Sequence, residues 1–359
     1  MNNNTVHKNL HKMQRIILIG FLAVAVSLIF WSVLRADSIL ARDDNPRLVE
    51  AELRIQRGTI LDRNGVVLAQ TVGEPDALTR DYPFPTIGPA VGYYSFRHGT
   101  AGIEAGFDAV LRGERDDFTA VFNQQILHSP QIGQDVQLTL DAHLQATTDS
   151  LFGDQQGALL LLEIDTGNIL AMVSHPSYDP NQLDSLFDSL GDTDHETAPL
   201  LNRAVQGQYQ PGLLLQPFIL AATLEANQIQ MSGVVQNANR PVPVNGEVIR
   251  CQTTPPDRPT WADVLRHRCP GPMQDLADQL GLGGLDDIFN RFGLSTQPEL
   301  PLNAETAVSQ LLSDPLQAGI GQDNLTVSPL QVALALAALG NDGRLPTPRL
   351  VTAVQDQDG

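Results

Sequence analysis

Three residues of chemical consequence stand side by side at His267-Arg268-Cys269, with a second cysteine, Cys251, eighteen positions upstream. A thiol attacks as its thiolate, and a neighbouring cation such as Arg268 lowers the pKa that controls it. His267 is a poor candidate for the base, because residues two apart on one helix do not face each other. Two quieter readings of the pair stay open. One is a Cys251–Cys269 disulfide, which would stabilise the chain by about 3 kcal/mol for a loop of this size; the other is two unrelated buried thiols. The six histidines beyond residue 35 and the two cysteines show no metal-ligand spacing. Neither a metal nor a cofactor is expected.

Lysine chemistry is confined to one end. The only lysines are Lys8 and Lys12, so a lysine base or Schiff-base residue has no candidate over the remaining length. The net charge of −19 excludes a nucleic-acid binder, since no basic stripe is present to neutralise phosphates.

The elements that must position these residues begin with an apolar run. Residues 16–34, "IILIGFLAVAVSLIFWSVL", contain no ionisable side chain, and as a helix they just cross a hydrocarbon core of roughly 30 Å. Lys8, Lys12 and Arg15 precede the run without any acid. Positive charge on the inner flank predicts a cytoplasmic tail over 1–15, a single-pass membrane anchor over 16–34 and the bulk of the chain outside the cell membrane. That compartment permits a disulfide. A cleaved signal peptide is the rival reading, disfavoured by the length of the run.

Beyond a polar stalk, "RGTILDRNGVVLAQ" (57–70) reads as a hairpin in which Asn64-Gly65 supplies positive φ angles. The Pro- and Gly-rich stretch 73–100 reads as irregular, and 102–113 as one short helix ended by Gly113. "DVQLTLDAHLQATTDSLF", from 135, reads as a strand and then a helix capped by Asp141. Residues 157–176 read as two apolar strands around Asp165-Thr166-Gly167, and 184–196 as an acidic loop. Helices are expected at about 212–227, 260–268, 272–281, 284–292 and 328–340, the last with Ser328 as cap and Pro329 in its first turn. One hairpin followed by many helices is an α+β pattern. A domain boundary is expected between 133 and 134.

Taken in order, "IQRGTILDRNGVVLA" (55–69), "YPFPTIGPAVGYYSFRHGTAGIE" (82–104), "LTLDAHLQ" (138–145), "GALLLLEIDTGNILAMVSHPSYDPN" (157–181), "NRAVQGQYQPG" (202–212) and "GIGQDNLTVSPLQVALALAALGNDGRLPTPRLV" (319–351) resemble the class B penicillin-binding proteins, membrane-anchored D,D-transpeptidases of peptidoglycan. The resemblance implies a stalk and β-rich pedestal over 35–133 and a transpeptidase-like domain over 134–359. It also implies partners: peptidoglycan itself and a polytopic peptidoglycan polymerase or other division or elongation proteins, reached through the membrane helix and pedestal.

The family's chemistry uses Ser-x-x-Lys, Ser-x-Asn and Lys-Thr-Gly. By resemblance, Leu213 stands at the serine position of the first motif and Gln216 at its lysine position; Arg268 and Pro270 stand at the serine and asparagine positions of the second. Leucine has no nucleophilic atom, and glutamine has no titratable proton near neutrality. No Lys-Thr-Gly occurs within these 359 residues. The expectation is an inactive pseudoenzyme that binds partners. Two alternatives are a D,D-transpeptidase fragment of a truncated or split gene and an acyl-transferase with Cys269 as a relocated nucleophile. Arg57, Asp62 and Arg63 are expected to form one ion-pair set, Asp165 and Gly167 to shape a turn, and Asp179 and Asn181 to cap a loop. The family fold packs helices on a five-stranded antiparallel sheet, of which this chain carries the first hairpin. The first strand of that hairpin is therefore expected to keep an open edge.

Overall fold

The structure is a computed structural model that describes residues 3–31, 52, 54–74, 77–114, 131–153, 155–191, 197–302 and 311–355. Two compact units are present: Met1–Ile55 with Gly73–Leu78, and Gln56–Val72 with Thr79–Gly359. The first contains the helix Asn3–Ile29, whose apolar side chains, Ile16 and Phe21 among them, are exposed. Among the described residues no helix is long and apolar enough to cross a membrane. Residues 32–34 of the expected span and most of the stalk lie outside the described residues.

The strands are β1 (Ile60–Leu61), β2 (Val67–Glu74), β3 (Ala77–Asp81), β4 (Gly92–Ser95), β5 (Gly99–Ala101), β6 (Asp135–Leu138), β7 (Gly157–Leu162), β8 (Ile169–His175), β9 (Val242–Val244), β10 (Glu247–Ile249) and β11 (Val351–Gln355), all within the second unit except Gly73–Glu74 of β2 and Ala77–Leu78 of β3. The largest sheet has the order β11-β6-β1-β2-β3; β4-β5, β7-β8 and β9-β10 are separate two-stranded sheets. The α+β class holds. The large sheet runs across the expected 133/134 boundary, because β6 pairs parallel with β1 and antiparallel with β11.

The 57–70 hairpin forms with Ile60 opposite Ala69. Its turn differs in detail from the expectation: Gly65 alone takes a positive φ, 83°, and Asp62 does the rest, its Oδ1 accepting from Asn64 N (2.7 Å) and Val66 N (2.8 Å). The "irregular" 73–100 stretch contains the β4-β5 hairpin, made possible by Gly92, whose φ is 91° and where a Cβ would lie 1.9 Å from the Ala101 carbonyl oxygen. The expected 102–113 helix is two, Gly102–Gly106 and Asp108–Arg112, separated at Phe107. The acidic loop is largely the helix Leu183–Gly191; Leu183, Leu186, Phe187 and Leu190 repeat at helical spacing and outweigh the intervening acids. The β9-β10 hairpin was missed although its turn, Asn245-Gly246, carries the two positive φ angles (49° and 86°) of the tight-turn signal.

The two core clusters separate by element. One gathers Ile60, Leu68, Val136, Leu138, Ile169 and Met172 from the strands with Leu330 and Leu334 from the helix Pro329–Gly340. The other is mostly helical, with Leu215, Phe218, Val264, Cys269, Met273 and Phe289 joined by Val242 and Val244 of β9. Ser328 caps Pro329–Gly340 through a reciprocal pair with Gln331, and Asp141 caps Ala142–Phe152 through His143 N and Leu144 N, both as expected. The helices expected at 272–281 and 284–292 join as Pro270–Arg291, interrupted at Gly281 by non-helical angles.

Candidate functional site

The first-motif segment opens on Pro211 and enters a 3-10 turn, Gly212–Leu215, that continues as the helix Gln216–Glu225. Gly212, at φ 56°, donates its N–H to Gly321 O at 3.0 Å. Gly321 is itself left-handed, and a Cβ there would lie 2.3 Å from Gly212 O. Two glycines thus let two backbones cross where the helix begins. The turn then divides its leucines: Leu213 packs half-buried against the helical core, Leu214 is exposed, and Leu215 is sealed within. Burying Leu215 and Phe218 contributes about 1.5–3 kcal/mol each.

The second-motif segment is the link between the helices Trp261–Arg266 and Pro270–Arg291. Arg268 is exposed and left-handed, φ 48°, a conformation that costs a residue with a Cβ about 1–2 kcal/mol. Pro270 occupies the first helical position, where its missing N–H is no loss. Cys269 between them is fully buried and bonded to Cys251. The reading of Cys269 as a relocated nucleophile is corrected by this bond, since a sulfur held in a disulfide has no thiolate to attack with. His267 turns away as the two-residue spacing requires: its Nδ1 lies 2.7 Å from Thr253 Oγ1.

The two segments meet at Gln216. This side chain is buried, and its Nε2 donates to Cys269 O at 3.0 Å. Its Oε1 has no hydrogen-bond partner among the described residues. Leu213, Gln216 and Cys269 are therefore brought together in the same core, whereas the Arg268 side chain stays at the surface. Sequence reasoning passed over Asp323, two residues beyond Gly321. Burial opposes ionisation there, but hydrogen bonds from Ser313 Oγ, Ser313 N and Asp314 N outweigh it and hold the carboxyl below its ordinary pKa. Its only sequence signal was its place in the quoted 319–351 segment.

The expected ion-pair set is instead three separate arrangements. Arg57 pairs with Glu104 (2.9 Å) and Asp108 (2.7 Å), and Arg80 joins the same buried carboxylate at 2.6 Å. Burial pushes the Glu104 pKa up, and the two guanidiniums overcome it, leaving the carboxyl below its usual range. Arg63 pairs with Glu163 at 2.9 Å. Asp62 makes no ion pair among the described residues; besides its own turn it accepts from Ala142 N at 3.1 Å. Gly167 takes a positive φ, 74°, in its turn, and its lack of a side chain also admits a second backbone, since a Cβ there would lie 2.1 Å from Thr347 O. Asp179 accepts from Asn181 N, and Asn181 in turn brackets the Tyr82 backbone through both its amide atoms.

A penicillin binding protein transpeptidase domain model matches residues 157–358, more than half of the chain, and a penicillin binding protein A dimerisation domain model matches 57–136. The chain belongs to the penicillin-binding protein transpeptidase family. Among its relatives, the peptidoglycan D,D-transpeptidase PbpA of Mycolicibacterium smegmatis is 29% identical over 354 residues, covering 91% of this chain and 71% of the relative. The peptidoglycan D,D-transpeptidase MrdA of Escherichia coli is 27% identical, covering 72% of this chain and 45% of the relative. Penicillin-binding protein A of Mycobacterium tuberculosis, solved as an imipenem acyl-enzyme complex, superposes with a TM-score of 0.75 at 27% identity, over 86% of this chain and 76% of that one. In this penicillin-binding protein the first- and second-motif segments lie together, joined by the Gln216–Cys269 hydrogen bond.

Proposed function

We propose that this chain is a cell-envelope penicillin-binding-protein-like pseudoenzyme that acts by binding partners rather than by acyl transfer. The observation that carries the reading is the pairing of Gln216 Nε2 with Cys269 O beside Leu213. A serine nucleophile needs an adjacent base; Leu213 supplies no attacking atom, and the amide of Gln216 is already committed to a carbonyl. Within these 359 residues no lysine follows Lys12. The buried Arg57–Glu104–Arg80 cluster, by contrast, is complete in the pedestal segment, which favours a retained binding role there. The fitting partner is a polytopic peptidoglycan polymerase at the cell membrane, met through that segment and a 16–34 anchor whose basic inner flank keeps residues 1–15 cytoplasmic.

Incubation with benzylpenicillin followed by intact-mass spectrometry tests the reading. An unmodified protein is expected; a gain of about 334 Da, the mass of the drug carried by an acyl-enzyme, overturns it. Protease added to intact spheroplasts is expected to digest the chain beyond residue 35, and full protection there overturns the orientation.

A further inference from the structure

A cleft of about 410 Å³ opens between residues 234–239 and 254–259, within the roughly 300–1,000 Å³ common to small-molecule sites. Its walls are held from both sides. Pro255, Pro256 and Pro259 stiffen one of them, because each ring fixes φ. Val235 N donates to Pro259 O at 2.8 Å and joins the two walls. Further along, Cys251 is bonded to Cys269, and its N–H donates to Asn239 Oδ1 at 3.3 Å. Gln252 N donates to His267 O at 2.8 Å. Arg240 Nη2 anchors the end of the other wall on Gly271 O at 2.7 Å and Asp275 Oδ1 at 2.6 Å. A cleft preformed in this way spares a ligand much of the ordering cost of binding.

The groups that line it are polar and uncommitted. The side chains of Gln236, Asn237 and Arg258 make no hydrogen bond or ion pair among the described residues, and Asp257 beside them is exposed. Amide side chains donate and accept together, which matches an acetamido group; a carboxylate accepts from hydroxyls, and a guanidinium takes a carboxylate. Val234, 49% exposed, and the proline rings offer apolar contact to a methyl group or a sugar face. The three prolines also leave their wall short of N–H groups, which disfavours pairing with an extended peptide. Residues 240–268 contain five arginines against three acids, in a chain whose formal charge is −19. An anion approaching this segment therefore meets less repulsion than elsewhere.

We propose that the cleft binds an acidic N-acetylated saccharide. Arg258 takes the carboxylate, Gln236 and Asn237 the acetamido group, and Asp257 the ring hydroxyls. The inference does not depend on whether the protein acylates or which protein it meets, so it stands or falls apart from the pseudoenzyme reading.

Calorimetric titration of the full chain in detergent tests this with N-acetylglucosaminyl-N-acetylmuramic acid, its lactyl carboxamide and the neutral N,N′-diacetylchitobiose. The acid is expected to bind about tenfold more tightly than either neutral ligand, the worth of one charge-assisted hydrogen bond. Arg258→Gln is expected to erase that preference, whereas Arg266→Gln, the same charge change outside the cleft, is expected to keep it. A hyaluronan tetrasaccharide, which has acetamido groups and uronate carboxylates, distinguishes the sources. Binding of either acid with this dependence on Arg258 supports the proposal, and the tighter one identifies the polymer. Hydrogen exchange on the unaltered chain gives a readout that needs no variant: the acid is expected to slow exchange in 234–239 and at 257–258. Absence of binding by both acids overturns the proposal, as does equal binding of acid and carboxamide. A preference for the acid that survives in folded Arg258→Gln, or slowed exchange confined to other segments, overturns it too, since another surface then holds the sugar.

Discussion

Gln216 Nε2 donates to the carbonyl oxygen of Cys269 at 3.0 Å, so the first helix of the site is tied to the link that carries the disulfide. One buried amide group thereby joins two segments 53 residues apart. The other end of that amide, Oε1, is buried with no hydrogen-bond partner among the described residues, a situation that typically costs about 1–3 kcal/mol. The site is thus coupled through a polar contact inside an apolar core.

Replacing that amide by an acid turns the contact into a pH sensor. In Gln216→Glu the protonated acid can donate to Cys269 O, whereas the carboxylate is repelled by it. Burial therefore raises the folded-state pKa above an unfolded value of about 4.3. Stability relative to the native chain is expected to be least affected below that value and to fall as pH rises, by about 1.4 kcal/mol per unit, until the folded pKa is passed. Thermal melts from pH 4 to 8 check this; a pH-independent difference between the two proteins sinks it.

The Cys251–Cys269 disulfide closes a short loop, with a sequence separation of 18, against the helical core. Double replacement by alanine is expected to reduce stability by about 2–4 kcal/mol. Denaturant unfolding of the variant and of the reduced native chain measures the loss, and equal midpoints with and without reductant contradict it.

Acid stability is expected to depend on Glu104. Its folded pKa lies below the ordinary 4.5, so its contribution is complete above that value and is lost as pH falls through the folded pKa. Glu104→Gln removes the carboxylate that the buried Arg57 and Arg80 guanidiniums share, leaving Arg57 with Asp108 alone, and a loss of about 3–5 kcal/mol at pH 7 is expected. The variant's melting curve is also expected to show a shallower decline below pH 4.5 than the native chain's. An identical acid limb in both proteins rules the assignment out.

Gly321→Ala tests the crossing of the two site segments. The added Cβ meets Gly212 O at 2.3 Å in a left-handed conformation, and a destabilisation above about 2 kcal/mol is expected from the clash and the backbone strain together. Gly343→Ala, also left-handed but with nothing within 4 Å, is the comparison and is expected to lose only about 1 kcal/mol. Equal losses in the two variants would mean that the crossing has little energetic weight.

Leu213→Ser alone is expected to leave the protein unreactive towards benzylpenicillin, because Gln216 is no base. Intact-mass spectrometry decides the matter, and an acyl adduct on the serine variant would show that some other group takes the proton.

Much of this was determined by local sequence. Asp141 and Ser328 announce their helices because a cap needs only the next three residues, and the identities of Leu213 and Gln216 settle what atoms those positions offer. The helix Leu183–Gly191 and the β9-β10 hairpin were equally local and were passed over, the first for its acids and the second for its brevity. Tertiary structure alone decided the rest. That Gln216 spends its amide on Cys269, that Glu104 collects Arg57 and Arg80, and that Gln145 clamps the backbone of β8 at Met172 are pairings between residues far apart in the chain. A side chain's type lists the bonds it can make; only the packing of distant segments, which brings one donor within reach of one acceptor and excludes water from the rest, selects the bond that forms.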